Sequence, residues 1–320
     1  MILMMDCVAI IGAGVSGLTT GVVLVERGYR AAIFAKETGQ QTTSGAAAAL
    51  WFPYDAEPPE RVIPWALQTL DVLGDLARVA GSGVSIIELR QFSHAGEIQI
   101  PNWAIPLGAQ AVIPSAVEGS LKLFKSGFSL RVPLMDTTIY LDYLAARFLK
   151  AGDAVNANVC FEKLEEVDRK FGLVINCAGI GARELAQDVD LEPHRGQVAV
   201  VPRIDGLPCA IVCDDAPLMY VIPRSNDCVF GGTNDISSNL AVDPATTDRI
   251  VAECSRVLNI EKPNVLTERV GLRPFRKSGV RLERHRLHDG RTVIHNYGHG
   301  GSGFTLSWGC AREVLNLATL

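Results

Sequence analysis

The sequence predicts an α/β protein in which a Rossmann-like dinucleotide-binding domain is interleaved with a mixed β-sheet domain. Three observations predict it. A strand, a glycine turn and a helix open the chain, and a second glycine turn stands between a strand and a helix near the C-terminus. Between them lie apolar stretches of strand length, bounded by glycines and prolines, with no low-complexity linker to separate two units.

The opening unit comes first. Asp6-Cys-Val-Ala-Ile-Ile11 is a short apolar strand, and Gly12-Ala13-Gly14-Val15-Ser16-Gly17 follows directly. The helical run Leu18 to Arg27 ends at Gly28-Tyr29, and Arg30-Ala-Ala-Ile-Phe-Ala35 reads as the next strand. In this frame G-x-G-x-x-G is a dinucleotide fingerprint: a tight turn, then a helix N-terminus facing a pyrophosphate. An acidic partner for the ribose belongs at the end of the second strand. Ala35-Lys36 occupies that place and Glu37 comes late, so the ribose must be held otherwise, by backbone and Lys36.

Near the other end, Val293 to Asn296 reads as a strand. Glycines follow at 298, 300, 301 and 303, and a helix starts near Phe304. Glycines let backbone amides and carbonyls approach a ligand closely, and the helix N-terminus beyond them favours partial negative charge. The two ends of the chain are therefore expected to hold one ligand between them.

Composition narrows the class. The 320 residues carry a formal charge of −5 and 48% hydrophobic side chains, enough for a full core. With no basic block, nucleic acid is not an expected partner. No apolar run reaches membrane length. Met1-Ile-Leu-Met-Met5 lacks both the length and the basic flank of a secretion signal, and Ala318-Thr-Leu320 is no peroxisomal tail. The eight cysteines show no CxxC and no framework spacing, so reduced core thiols and a cytoplasmic location are expected.

The middle is read from periodicity. Thr42-Thr43-Ser44-Gly45 leads into Ala46-Ala-Ala48-Ala49-Leu50-Trp-Phe-Pro53-Tyr54, small residues that would let backbone pass against a flat ring. Leu67, Leu70, Leu73 and Leu76 predict an amphipathic helix over Ala66–Ala80. Val84 to Arg131 looks like short strands and turns. Asp136 is an N-cap for a helix through Phe148. Lys170 to Gly179 is a buried strand ending in a glycine turn. Gln197–Val201, Ala210–Cys213, Met219–Pro223 and Cys228–Gly231 are strands of a second sheet, and Thr246–Leu258 is a helix. Gly279–Arg284 and Thr292–Asn296 form a hairpin around Asp289-Gly290. The expected division is 1–55, 132–190 and 278–320 for the dinucleotide domain, and 56–131 and 191–277 for the substrate domain.

Taken together, these blocks resemble the D-amino-acid oxidase family of flavoproteins. The segment His295-Asn-Tyr-Gly-His-Gly-Gly-Ser-Gly-Phe-Thr-Leu-Ser-Trp-Gly-Cys-Ala311 is similar to that family's signature. Pro133-Leu-Met-Asp-Thr137, Asn176-Cys-Ala-Gly179, Arg195-Gly-Gln197, Tyr220-Val-Ile-Pro223, Gly231-Gly-Thr233 and Gly271-Leu-Arg-Pro274 stand in the family's order. The resemblance implies FAD as cofactor, and D-amino acid and O2 as small-molecule partners. A homo-oligomer stays open. It implies FAD contacts at Gly12, Ala13, Gly14, Val15, Ser16, Gly17, Ala35, Lys36, Thr42, Thr43, Ser44, Ala48, Ala49, Leu50, Gly179, Gly300, Gly301, Gly303, Phe304 and Thr305.

For the substrate it implies Tyr220, Arg273, Gly301 and Ser302. Arg273 would clamp the carboxylate, for which a planar fork suits two oxygens. Tyr220 would touch the same carboxylate, and the Gly301 carbonyl would accept the amine. Thr305 and the backbone at 303 to 305 would face the flavin edge where charge accumulates on reduction. No side chain serves as acid or base and no metal is expected: hydride passes from the α-carbon to flavin N5, and the imino acid hydrolyses in water.

Several departures affect specificity. Cys213-Asp-Asp-Ala-Pro-Leu-Met219 is too short for the lid loop of many members, so product release need not wait on a closing lid. Ser302 replaces a common aromatic residue, and Asn234 stands where D-aspartate-selective relatives carry arginine. Neutral D-amino acids are therefore expected over acidic ones. Glu165-Glu166, Asp214-Asp215, His285 and His288 read as solvated charges. The alternatives are a D-aspartate oxidase, another flavin amine oxidase of the superfamily, a redox-sensing or scaffold flavoprotein, and a nicotinamide-dependent dehydrogenase.

Overall fold

The computed structural model describes residues 7–114, 123–151 and 154–320. Residues 1–6, on which the reading of the N-terminus rested, lie outside that range. So does part of the stretch between Val84 and Arg131.

Two sheets organise the chain. The first has six strands in the spatial order Arg281–Arg286, Thr292–Tyr297, Leu173–Asn176, Cys7–Ile11, Arg30–Ala35 and Ala154–Ala157. Neighbours run parallel except for the Arg281–Arg286/Thr292–Tyr297 hairpin. Val8, Ala9 and Ile10, on its central strand, are fully buried. An unbroken apolar run is what a strand covered on both faces requires. From the Cys7–Ile11 strand the chain continues through a helix to one neighbour, Arg30–Ala35, while the other neighbour, Leu173–Asn176, comes much later. The crevice beyond the carboxyl ends of such strands is where α/β sheets bind ligands.

Helices Val15–Glu26 and Gly303–Ala318 pack together, and Pro59–Leu76 packs across the latter. At that crossing the Gly309 amide donates to Thr69 Oγ1 at 2.9 Å. A Cβ on Gly309 would come within 2.3 Å of the Trp65 carbonyl. The helix expected over Ala66–Ala80 thus starts earlier, at Pro59, and stops at Leu76. Pro59 is tolerated in the first turn, where its missing N–H has no helical partner to lose.

The second sheet has nine strands. In space they run Asp235–Ile236, Leu191–Pro202, Asp227–Gly231, Met219–Pro223, Cys209–Cys213, Val84–Ser93, Ser126–Met135 and Gln110–Val112, and Thr267–Arg276 also pairs with Leu191–Pro202. All pairs are antiparallel except Val84–Ser93 with Cys209–Cys213. Val84–Ser93 and Ser126–Met135 pair over their whole lengths, where shorter strands were expected. Ser126–Met135 also crosses the expected domain boundary at 132.

Register sets which side chains share a face. Phe128, Gln91, Val212, Tyr220, Gly231, Val198 and Arg269 stand opposite one another in one row. Since alternate residues face the same way, Gly271 and Arg273 share that face with Arg269. Their register partners Gly196 and His194 share it with Val198. This face meets the 39–46 loop: Thr43 Oγ1 donates to the Leu272 carbonyl, and Arg269 Nη1 donates to the Gly45 carbonyl.

All eight cysteines are free thiols; Cys160 is exposed and Cys7 half-buried, while the others are buried. Burial pushes the Cys177 thiol up to about 12. No helix among the described residues is long and apolar enough to cross a membrane.

Candidate active site

The two glycine turns meet. A Cβ built on Gly303 would lie 3.6 Å from Val15 Cγ1, so the helices Val15–Glu26 and Gly303–Ala318 start side by side. In the first turn the glycines have separate tasks. A Cβ on Gly12 (φ +107°) would sit 2.3 Å from the Cys177 carbonyl oxygen, and one on Gly17 would sit 1.9 Å from the Gly12 carbonyl oxygen. Both positions are closed to any larger residue. Gly14 meets only the Ser44 side chain, at 3.0 Å, which leaves an opening toward the helix N-terminus.

This N-terminus has no side-chain cap and no acidic residue in its first turn. Ser44 Oγ accepts from the Val15 amide at 3.0 Å. The amides of Ser16 and Gly17 have no intrahelical carbonyl to bond, and with the helix dipole they suit a phosphate. The second helix repeats the pattern: its N-cap, Ser302, caps nothing, and no acid stands in its first turn. Gly179 has φ +57° and open space where a Cβ would be. Ala49 also holds a positive φ, 57°, in backbone that pairs with strand Ser126–Met135 through its own carbonyl. The two helix N-termini, neither capped by the side chain of its own N-cap residue, lie together and fit a pyrophosphate and a ring edge that gains negative charge. Ala35 is buried, and Lys36 and Glu37 are exposed at the end of their strand.

Two hydroxyls fasten this cradle to the Trp51–Asp55 segment. Ser302 Oγ accepts from the Tyr54 amide at 2.7 Å and donates to the Tyr54 carbonyl at 2.5 Å. Thr305 Oγ1 accepts from the Phe52 amide at 3.1 Å and donates to the Phe52 carbonyl at 3.0 Å. Both hydroxyls are buried and committed to backbone. Each hydroxyl keeps one acceptor lone pair, and both tie the helix start to the Phe52–Tyr54 backbone. Thr42 is likewise occupied with capping the 43–46 turn, and Phe304 packs in the core. The histidines of the C-terminal block are held neutral. Burial pulls His295 and His299 down to about 4, with the Arg281 charge adding at His295, and His299 Nε2 pairs with Asn296 Oδ1 at 3.1 Å.

Beside the cradle, Arg273 and Tyr220 rest on glycine. A Cβ on Gly196 would come within 2.5–2.7 Å of the Arg273 guanidinium, and one on Gly231 within 2.0 Å of the Tyr220 ring. Arg273 Nη1 donates to the Thr233 carbonyl at 2.9 Å and to Asn234 Oδ1 at 3.2 Å. Among the described residues Nε and Nη2 bond to no backbone or carboxylate acceptor, and the Tyr220 hydroxyl lies within reach of the guanidinium. Asn234 Nδ2 also reaches the Tyr54 hydroxyl at 3.3 Å, joining it to Arg273. Gly301 lies against the Tyr54 ring, where a Cβ would stand 2.5 Å from Cδ1. Burial, reinforced by Asp214, pushes Tyr54 up to about 12. Burial also raises Tyr220, against the pull of Arg273. Both phenols therefore keep their protons at neutral pH.

Tyr54, Gln91 and Asp214 stand with Asn234 beside Arg273, although sequence patterns marked only Asn234 there. Asp214 is not a free surface charge. Its Oδ2 accepts from Gln91 Nε2 at 2.8 Å, and it is coupled to Arg273 and Tyr54. Asp215 is anchored too, accepting from Ser93 Oγ at 2.8 Å and from the His94 and Ala95 amides.

A mainly parallel sheet with a glycine-lined switch point, beside a larger, mainly antiparallel sheet that presents a guanidinium, is the frame of a flavin-dependent oxidoreductase. Residues 7–317 match the family model described as FAD dependent oxidoreductase. The chain is 38% identical to the D-amino-acid oxidase of Rubrobacter xylanophilus, covering 97% of this chain and 94% of that protein. It is 39% identical to the D-amino-acid oxidase of Streptomyces coelicolor, covering 98% and 96%. Among solved structures, glycine oxidase from Geobacillus kaustophilus superposes with a TM-score of 0.82 at 18% identity, over 98% of this chain and 95% of that one. The chain belongs to the DAO family of FAD-dependent oxidoreductases.

Proposed function

We propose that the protein oxidises D-amino acids without acidic side chains, yielding 2-oxo acid, ammonia and hydrogen peroxide. One observation carries the reading. Arg273 and Tyr220 share one face of the second sheet, and the link from Arg273 through Asn234 to Tyr54, against which Gly301 lies, brings that face to the paired helix N-termini. A carboxylate would take two charge-assisted bonds from Arg273 and one from Tyr220. The α-amine would donate to the Gly301 carbonyl, which no backbone amide among the described residues occupies.

With carboxylate and amine fixed, the side chain and the α-hydrogen take the two remaining directions, and the α-hydrogen of one enantiomer alone faces the cradle. Bound FAD supplies a hydride acceptor whose reoxidation by O2 gives hydrogen peroxide. The amine must be neutral, because its lone pair forms the C=N bond as hydride leaves the α-carbon. Water then converts the imino acid to 2-oxo acid and ammonia. The residues at Gly12–Gly17, Ser44, Ala48–Leu50, Gly179 and Gly300–Thr305 would hold the cofactor through backbone and small side chains. The amides of Gly303, Phe304 and Thr305 would stabilise charge on the pyrimidine edge. The protein contributes position and field.

Steady-state peroxide formation tests the reading. FAD-loaded protein is expected to turn over D-alanine, D-valine and D-methionine, but not their L-enantiomers, with D-aspartate poorest of the D-series. Peroxide from D-aspartate at the highest rate would move the assignment to a D-aspartate oxidase. No peroxide from any D-isomer would defeat it.

A further inference from the structure

The sheet face that carries Tyr220 and Arg273 also carries an acid that binding and oxidation of a simple amino acid do not use. Asp214 follows the strand Cys209–Cys213, two residues beyond Val212. Val212 stands opposite Tyr220 on one side and Gln91 on the other. Alternation therefore turns Asp214 toward the same face as Tyr220, Gln91 and Arg273.

Its place is fixed by neighbours rather than by a flexible loop. Asp215 is tied to Ser93, His94 and Ala95 at the end of strand Val84–Ser93. Met219 pairs back onto Cys213, so the connector between them is pinned at both ends. Gln91 Nε2 holds Asp214 Oδ2 at 2.8 Å, while Oδ1 has no hydrogen-bond partner among the described residues. Asp214 is solvent-accessible, yet it lies deep enough among protein atoms that burial raises its carboxyl. It also feels Asp55 and Arg273, and the Arg273 charge is the one a substrate carboxylate would neutralise.

We propose that Asp214, held by Gln91, is a specificity-determining residue that receives the far end of the substrate side chain. It selects for side chains ending in an ammonium, guanidinium or other hydrogen-bond donor, and against side-chain carboxylates. This rests on the D-amino-acid reading of the site and extends its substrates from neutral to basic side chains. Arg273 and Asp214 give the cleft a cationic and an anionic end. A substrate with a carboxylate at one end and a cation at the other matches both, whereas a second carboxylate meets a like charge in a partly desolvated setting.

The test separates this inference from the reaction itself. Hexanoate, 6-aminohexanoate and adipate are added to FAD-loaded protein, and binding is followed by thermal shift and by flavin difference spectrum. Kinetics then compare D-norleucine, D-lysine and D-glutamate. The parent is expected to bind 6-aminohexanoate tighter than adipate by about ten-fold or more, the scale of one favourable charge contact replaced by a repulsive one. Asp214→Asn should erase that preference and lower the ratio of kcat/KM for D-lysine to that for D-norleucine by a similar factor. Asp214→Lys should reverse the order toward adipate and D-glutamate. The same preference in parent and Asp214→Asn, or none in the parent, would overturn the inference. If the probes discriminate as expected but no D-amino acid is oxidised, the reaction assignment fails and the role of Asp214 as the anionic end of the cleft stands.

Discussion

Gly196→Ala is expected to disable the carboxylate clamp without unfolding the protein. The added Cβ would lie 2.5 Å from Nη2, 2.6 Å from Nη1 and 2.7 Å from Cζ of Arg273. Carbon and nitrogen need about 3.5 Å, so something must move by about 1 Å. The atoms in the way are the far end of a flexible side chain, while Gly196 itself is held in a ladder with Gly271. The guanidinium should therefore yield and the backbone stay. Arg273 would keep its charge but lose its aim toward the carboxylate. Each charge-assisted bond contributes about 1.5–3 kcal/mol, and partial loss of two would cost about 2–4 kcal/mol. At 1.4 kcal/mol per decade this is roughly a 30- to 700-fold rise in KM. The assay is initial peroxide rate against D-amino-acid concentration at saturating FAD, alongside holoenzyme Tm and the flavin spectrum. A KM within three-fold of the parent would refute the placement of the clamp over Gly196. So would a large fall in Tm at unchanged KM, since it would mean that the backbone moved instead.

Other substitutions probe the neighbouring contacts. Ser302→Ala removes the hydroxyl that serves both backbone groups of Tyr54; a loss of about 1–3 kcal/mol should appear as a lower Tm and faster flavin release, measured by denaturation and dialysis. Asn234→Ala unlinks Arg273 from Tyr54 and should raise KM about ten-fold or more, for one charge-assisted bond to Arg273 and one neutral bond to Tyr54 lost, with flavin binding unchanged. Asp188 is pushed up by burial, but hydrogen bonds from Arg276 and Tyr297 win, and its carboxyl stays below the usual range. Its contribution to stability is therefore present above the ordinary carboxylate pKa of about 4 and vanishes as pH falls through the depressed value. Asp188→Asn should lower Tm at pH 7, and the gap from the parent should close in acid; a gap constant with pH would contradict this.

How much of this was legible in the sequence depended on distance along the chain. The Gly12–Gly17 turn and the Gly298–Gly303 turn could be read because their constraints are local: a strand, a tight turn and a helix follow in order. Asp136 as N-cap and the hairpin around Asp289-Gly290 are local in the same way, and both are present. Arg273 and Tyr220 were marked by the family resemblance, but the reason for their placement was not visible. Gly196 and Gly231 act as floors only once strands far apart in sequence are in register. Tyr54, Gln91 and Asp214 escaped for that reason too. Gln91 did carry a signal, as an amide among Leu89, Phe92 and other strand apolar residues, which a buried position must satisfy. Ser302 and Thr305 were drawn to the ligand by resemblance. Their spacing, three apart at the start of a helix, also suits the backbone groups of a neighbouring extended segment.

Anaerobic reduction of the bound flavin most directly tests whether the carboxylate fork and the Gly301 carbonyl present one enantiomer's α-hydrogen to a cofactor lying between the glycine turns. Purified, FAD-loaded protein mixed with D-methionine in the absence of oxygen should lose its visible absorbance, while L-methionine leaves it unchanged. Bleaching by both enantiomers at similar rates, or by neither, would contradict the account.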